Sequence, residues 1–230
     1  MKKDLLDICD FHTHILPGVD HGSDSLDESL RQIRLAEKHG VSRIVLTSHF
    51  YAHNENVLDF IRRRDLAYSL LKENLWEGAP ELLLGAEVLV CNNIEKLPML
   101  DKICIGNSRA ILLELPFNDF NRQIVSSVRN MISLGYQVVL AHANRYPKEN
   151  IDVLLSEGAL IQLNADSLSG VFLGKHLLTW LDSGAVVALG SDIHGVDTSA
   201  YKKFDKARER ILTRYSSVKD ESDKIWSSAF

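Results

Sequence analysis

His12 and His14 end one short apolar run of this chain, His49 ends a second and His142 a fifth, while Asp192 and His194 end a seventh. Glu87 and Glu114 lie near the ends of the third and fourth. Imidazoles mixed with carboxylates form the donor set of borderline divalent metals such as Zn, Mn or Fe, whereas a thiolate site would need cysteines that are absent from these positions. Alternate residues of a strand face one side, so the two imidazoles of His12-x-His14 could reach one ion. Glu114 sits in the run Ile111-Leu112-Leu113-Glu114-Leu115, where an ionised carboxylate needs a compensating charge, and a metal ion supplies one. Any one of these side chains has a bland reading as a hydrogen-bonded structural residue. Their convergence points to a metal centre.

That convergence requires a particular scaffold. Seven runs read as strands: Ile8 to His14, Arg43 to His49, Leu82 to Val90, Ala110 to Leu115, Gln137 to Ala143, Leu160 to Asn164 and Val186 to Asp192. Most are apolar throughout, as strands buried on both faces are, and they alternate with amphipathic stretches, which predicts repeated βα units around a parallel sheet. Leu26, Leu30, Ile33 and Ala36 mark one such helix, with Ser25 and Glu28 at capping-box spacing and Gly40 as its stop. Gly135, Gly158 and Gly184 suit left-handed helix termination. In a parallel α/β barrel the carboxyl ends of all strands open on one face, where such folds build their sites. The reading is one domain over residues 1–230; the charged tail from Ala200 to Phe230 reads as helical with a solvated basic face.

The remaining composition excludes several classes. A net charge of -5 argues against a general nucleic-acid binder. No apolar run is long enough for a membrane span, and Met1 to Asp10 lacks a signal-peptide pattern, so a cytoplasmic protein is expected. Cys9, Cys91 and Cys104 contain no CxxC pair and fit reduced thiols. A cysteine-dependent phosphatase would need an arginine six residues after its thiolate, but those positions hold Ile15, Leu97 and Ala110. No nucleotide-binding P-loop motif occurs.

Several segments together resemble the polymerase and histidinol phosphatase (PHP) family, and within it the branch of bacterial capsule-locus, manganese-dependent protein tyrosine phosphatases. They are Asp10-Phe-His-Thr-His-Ile-Leu-Pro-Gly-Val-Asp-His-Gly22, Thr47-Ser-His49, Gly85-Ala-Glu87, Leu113-Glu-Leu-Pro116, Ala141-His-Ala-Asn-Arg-Tyr146, the segment from Gln162 to Gly170 and Gly190-Ser-Asp-Ile-His194. The resemblance implies an α/β fold, a distorted seven-stranded, TIM-like (β/α)7 barrel of PHP type, holding three divalent ions, Mn first with Fe or Zn as alternatives. It implies that His12, His14 and Asp192 hold one ion, that Glu87 bridges to a second completed by Glu114 and His142, and that His49, His194 and His21 hold the third. His21 stands where the branch usually carries a second aspartate. Arg145 matches an arginine that grips phosphate, a role suited to a planar guanidinium. The branch's second arginine has no counterpart near Ser199. Asn164 also matches a family position, although a strand-end hydrogen bond explains it equally well.

Clustered divalent ions can activate a shared water to attack phosphorus, with Arg145 stabilising the added charge. His53, in a polar loop, is a weak candidate for protonating the leaving phenolate; His39 and His176 fall in helical stretches and receive no role. The expected activity is hydrolysis of protein phosphotyrosine, with the phosphotyrosine tail of a bacterial tyrosine kinase as partner and capsule or exopolysaccharide synthesis as the process. The alternative is a small-molecule hydrolase of histidinol phosphate, another phosphoester or a carboxylic ester. A catalytically silent metal-binding module is the third reading.

Overall fold

The computed structural model describes residues 8–230. The seven expected runs are all present, but three of them break in two, giving ten strands. They are β1 (Asp10–His14), β2 (Arg43–Leu46), β3 (His49–Phe50), β4 (Glu81–Leu84), β5 (Glu87–Leu89), β6 (Ala110–Glu114), β7 (Gln137–Leu140), β8 (Leu160–Asn164), β9 (Val186–Gly190) and β10 (Ile193–His194). All pairings are parallel. They form two sheets, in the orders β10-β1-β2-β4 and β3-β5-β6-β7-β8-β9, rather than one closed seven-stranded ladder. Backbone hydrogen bonds from Thr47 N to Thr13 O (2.9 Å) and from Glu87 N to Thr47 O (3.2 Å) tie the two together.

The helices are α1 (Leu26–Lys38), α2 (Val57–Glu73), α3 (Arg122–Ser133), α4 (Lys148–Ser156), α5 (Ala165–Leu168), α6 (Lys175–Asp182), α7 (Ala200–Arg214) and α8 (Ser217–Ser227). Local chemistry sets their ends. Ser25 Oγ accepts from Glu28 N at 3.3 Å, and the Glu28 carboxylate reaches back to Asp24 N at 2.9 Å, which satisfies amides of the first turn. Asn121 caps α3 by accepting from Gln123 N and Ile124 N. Gly40, Gly135, Gly158 and Gly184 all adopt positive φ, as their placement after helices predicts.

Two apolar clusters result. The larger lies between the sheets and the surrounding helices. The smaller is flanked by strands of both sheets: Phe11, Val45, Leu83, Leu112, Val139 and Val187 meet there, and Ile225 and Trp226 of α8 close it from below together with Ala229. Above this plug the strand interiors turn polar. A bulge makes the change possible on β1. Asp10 and Thr13, three residues apart, pair with Ile44 and Leu46, only two apart. The extra residue reverses which side chains face inward, so Phe11 enters the plug while His12 contacts the inward amide of Gln162 on β8.

Candidate metal centre

The breaks in the strands coincide with the polar groups. Where the second, third and seventh runs break, the next strand begins with or carries His49, Glu87 or His194, and Asp192 occupies the third break itself. His142 and Asp192 both adopt left-handed backbone, with φ of 32° and 53°, a conformation that costs a non-glycine residue energy and persists only where its surroundings enforce it. For Asp192 part of that enforcement is the bond from its amide to His12 O at 2.8 Å. Gly190 clears the space beside them. A Cβ there would lie 2.5 Å from His12 Cβ and 2.6 Å from Gln162 Nε2.

Glu87 is the hub and is fully buried. Its Oε2 lies 3.1 Å from His12 Nε2, 3.2 Å from His14 Nε2 and 3.0 Å from His49 Nδ1, while its Oε1 lies 2.7 Å from His142 Nε2. Asp192 Oδ1 is 3.5 Å from His12 Nε2 and 3.4 Å from His14 Nε2. Glu114 stands farther out, 3.8 Å from His142 Nε2 and 3.9 Å from His49 Nδ1. The ring of His194 is 4.0 Å from that of His14. His21 is the outermost, an exposed side chain whose ring lies 4.6 Å from that of His194 and 4.9 Å from that of His49.

These residues fit divalent ions. Glu87 Oε2, His49 Nδ1, His142 Nδ1 and His194 Nε2 are buried without a hydrogen-bond partner, so the close approaches to Glu87 Oε2 are not a conventional hydrogen-bond network. Four donors placed tetrahedrally at about 2.0–2.1 Å from an ion would be roughly 3.3–3.4 Å apart. The His12, His14 and Glu87 donor atoms are 3.1–3.2 Å apart, and Asp192 Oδ1 lies 3.4–3.5 Å from the two imidazole nitrogens. The compact triads His12–His14–Glu87, His49–Glu87–Glu114 and His14–His49–His194 could each hold an ion, and they share members.

Without cations, burial and the crowded charges displace the titration of the buried ligands. Burial pulls His12 and His14 down, yet the Glu87 and Asp192 carboxylates outweigh it and hold both above the ordinary histidine range. Burial lowers His49 to about 4, and burial with the Glu87 charge raises Glu114 to about 7. Burial also opposes ionisation of Glu87 and Asp192, but the imidazoles hold both below the usual carboxylate range. Ions would replace the protons that otherwise shield these carboxylates from one another.

Three further residues are outside the sequence-level set. Asp20 Oδ2 lies 2.8 Å from His14 Nδ1 and accepts from His49 N at 2.9 Å, which fixes the His14 ring with Nε2 inward. Gln162 Oε1 does the same for His12 Nδ1 at 3.0 Å and also accepts from His142 N at 2.7 Å. Lys203, on α7, lines a cavity of about 240 Å³ with Arg145, Asn164, Asp192 and His194. It brings a second cation to the region where sequence offered none near Ser199, which instead caps the loop through Asp197.

Arg145 lies in a 3₁₀ turn after β7 and donates from Nη2 to Asp192 Oδ2 at 2.6 Å, with its side chain 43% exposed. Asn164 Nδ2 donates to the same oxygen at 3.0 Å. His53 is not brought to the cluster. Its exposed ring lies 5.8 Å from that of Tyr51, which in turn packs 5.2 Å from His49. His39 pairs with Asp205 and His176 packs on Trp180, both away from the cluster. No disulfide joins the cysteines.

The chain matches the family model for capsular polysaccharide synthesis proteins CpsB/CapC over residues 8–227. It is 30% identical to tyrosine-protein phosphatase YwqE of Bacillus subtilis, over 82% of this chain and 78% of that one. It is 28% identical to tyrosine-protein phosphatase CpsB of Streptococcus pneumoniae, over 91% of this chain and 92% of that one. A crystal structure from the work on YwqE and CpsB, described as unique metal-dependent tyrosine phosphatases, superimposes with a TM-score of 0.75 at 22% identity, covering 96% of this chain and 92% of that one. A TatD family hydrolase from Entamoeba histolytica superimposes with a TM-score of 0.53 at 11% identity, covering 96% of each chain, and shares the fold alone. With nearly its whole length inside one family model, this chain belongs to the CpsB/CapC family of capsular polysaccharide synthesis proteins.

Proposed function

We propose that this chain is a metal-dependent phosphoric monoester hydrolase that removes phosphate from tyrosine in proteins, in the service of capsular or exopolysaccharide synthesis. The observation that carries the reading is Glu87 Oε2, buried within 3.0–3.2 Å of three imidazole nitrogens yet in hydrogen-bond geometry with none. In this proposal His12, His14, Glu87 and Asp192 hold one ion, Glu87, Glu114 and His142 a second, and His49, His194 and His21 a third. Manganese is the metal, with Fe or Zn as alternatives. When bound, the ions supply Lewis acidity and water activation.

The chain's own groups do the rest. Asp20 and Gln162 hold the His14 and His12 rings so that each presents Nε2 to the centre. Arg145 can leave Asp192 to grip phosphoryl oxygens without stranding Asp192 Oδ2, because Asn164 Nδ2 already donates to it. His53 lies beyond Tyr51, apart from the metal ligands, so the proposal gives it no part in protonating the departing phenolate oxygen. In the same proposal the whole chain is one domain, a distorted seven-stranded (β/α)7 barrel, acting in the cytoplasm on the phosphorylated tail of a tyrosine kinase. No helix among the described residues is long and apolar enough to cross a membrane.

The test strips the protein of metal, refills it with Mn, Zn or Fe, and measures hydrolysis of a phosphotyrosine peptide, histidinol phosphate and an aryl carboxylic ester, with His142→Ala as control. Metal-restored peptide turnover that His142→Ala abolishes is the expected outcome. Turnover of the ester or histidinol phosphate alone would reject the substrate, and activity indifferent to stripping would reject the mechanism.

A further inference from the structure

Beyond the cavity that holds Arg145 and Lys203, α7 borders another that shares no lining residue with it. One turn farther along α7, Lys206, Glu209, Arg210, Thr213 and Arg214 wall a second cavity of about 480 Å³, faced by Leu168, Ser169, Gly170 and Val171. Lys203, Lys206, Arg210 and Arg214 are three or four residues apart, so they form one stripe along the helix. Arg210 builds the groove rather than serving it, donating to Leu168 O at 2.7 Å and Gly170 O at 2.8 Å. Lys206 and Arg214 are exposed, and among the described residues neither takes part in a side-chain hydrogen bond or ion pair. At the outer lip Val171 is 85% and Phe172 92% exposed. In a chain of net charge -5, this second cavity reverses the sign locally, with three basic residues against the single acid Glu209.

We propose that this groove binds the segment flanking the phosphotyrosine, that it selects acidic flanks, and that the substrate is an extended acidic peptide running from Arg145 past Lys203 to Lys206 and Arg214, with an apolar side chain against Val171 and Phe172. The inference rests on the phosphotyrosine reading above. A basic stripe beside exposed apolar residues would also suit an anionic membrane, but a stripe whose first lysine, Lys203, shares a cavity with Arg145, Asp192 and His194 fits a chain led away from the metal ligands rather than a flat surface.

The test compares two phosphotyrosine peptides, with aspartate and glutamate or with asparagine and glutamine flanking the tyrosine, and p-nitrophenyl phosphate, on Mn-loaded wild type and the double variant Lys206→Glu, Arg214→Glu. Binding of the acidic peptide carrying a non-hydrolysable phosphotyrosine mimic is read in parallel by fluorescence anisotropy on both proteins. At low salt the acidic peptide should have a KM about tenfold below the neutral one, and the variant should erase that advantage and weaken anisotropy binding to the same degree, with kcat and p-nitrophenyl phosphate hydrolysis unchanged. Equal KM values for both peptides, or a variant without effect, would overturn the groove and leave the phosphatase standing. Loss in the variant of binding to phosphatidylglycerol vesicles, with peptide KM unmoved, would overturn it in favour of a membrane. Hydrolysis of p-nitrophenyl phosphate without turnover of either peptide would remove the phosphotyrosine reading and the groove with it.

Discussion

The same strands carry opposite chemistry at their two ends. Below, Phe11, Val45, Leu112 and Val139 are closed over by Trp226 of α8 in one apolar cluster. One to three residues farther along, His12, His14 and His142 gather around Glu87, with Glu114 beside His142. The lower end is stabilised by burial, at roughly 1.5–3 kcal/mol for each large apolar side chain. The upper end crowds carboxylates and imidazoles together and holds His142 and Asp192 in strained backbone, so by itself it opposes folding. Stability and chemistry are thus separated along one axis, and substitutions at the two ends should fail in different ways.

The largest effect belongs to the hub. Glu87→Gln should lower kcat/KM by at least about a thousandfold and reduce the number of bound ions measured by elemental analysis, with little loss of folding in metal-free protein. An active Glu87→Gln protein with full metal content would break the comparison. At the other end Trp226→Ala should cost about 3–5 kcal/mol in chemical denaturation, while protein folded at low temperature keeps its metal content. Between these lies Asp20→Asn, which retains an acceptor but removes the charge facing His14. Metal affinity should fall about 10–100-fold by titration, with the denaturation midpoint of the metal-free protein shifted little.

Asp10 lies at the border between the two ends and gives the smallest effect. It is fully buried, accepts from Ser191 N at 2.8 Å and sits beside Tyr201; burial raises its carboxyl from 3.8 to about 6. The folded state therefore prefers the protonated form. The stability this provides is complete below pH 3.8 and is lost as pH rises through about 6. Asp10→Asn should remove that loss, so the unfolding free energies of metal-free wild type and variant, from urea denaturation, should diverge between pH 4 and 6.5 by on the order of 2 kcal/mol. Parallel pH profiles would show that Asp10 is ionised in the folded protein.

The polar end was more legible in the sequence than the apolar end, for a physical reason. A glutamate inside Ile111-Leu112-Leu113-Glu114-Leu115 conflicts with its surroundings and so announces itself, as does a histidine pair ending a buried strand. The plug does not. Ile225 and Trp226 lie in a charged tail whose exposed lysines and glutamates dominate the pattern, so its burying face was not singled out. The strand breaks carried a weaker signal: Gly85 and Asp192 are poor strand residues, but Thr47 and Ser48 at the first break are compatible with a continued strand. Asp20 lies in a loop without periodicity, and its role depends on a fold that returns it to His14. Gln162, by contrast, did carry a signal, a polar side chain amid Leu160-Ile-Gln-Leu. The basic stripe of α7 looks like an ordinary solvated face until the segment after α5 is placed against it.

The pairing of β1 with β10 has a consequence in time. Thr13 aligns with Ile193 and His14 with His194, so the ladder that assembles the centre joins residues about 180 positions apart. A loop of that length closes late, and a chain still emerging from the ribosome holds His12, His14, His49 and Glu87 long before Asp192 and His194 exist. The complete centre is therefore a property of the finished chain. A divalent ion can meet the full donor set only once that last ladder has closed.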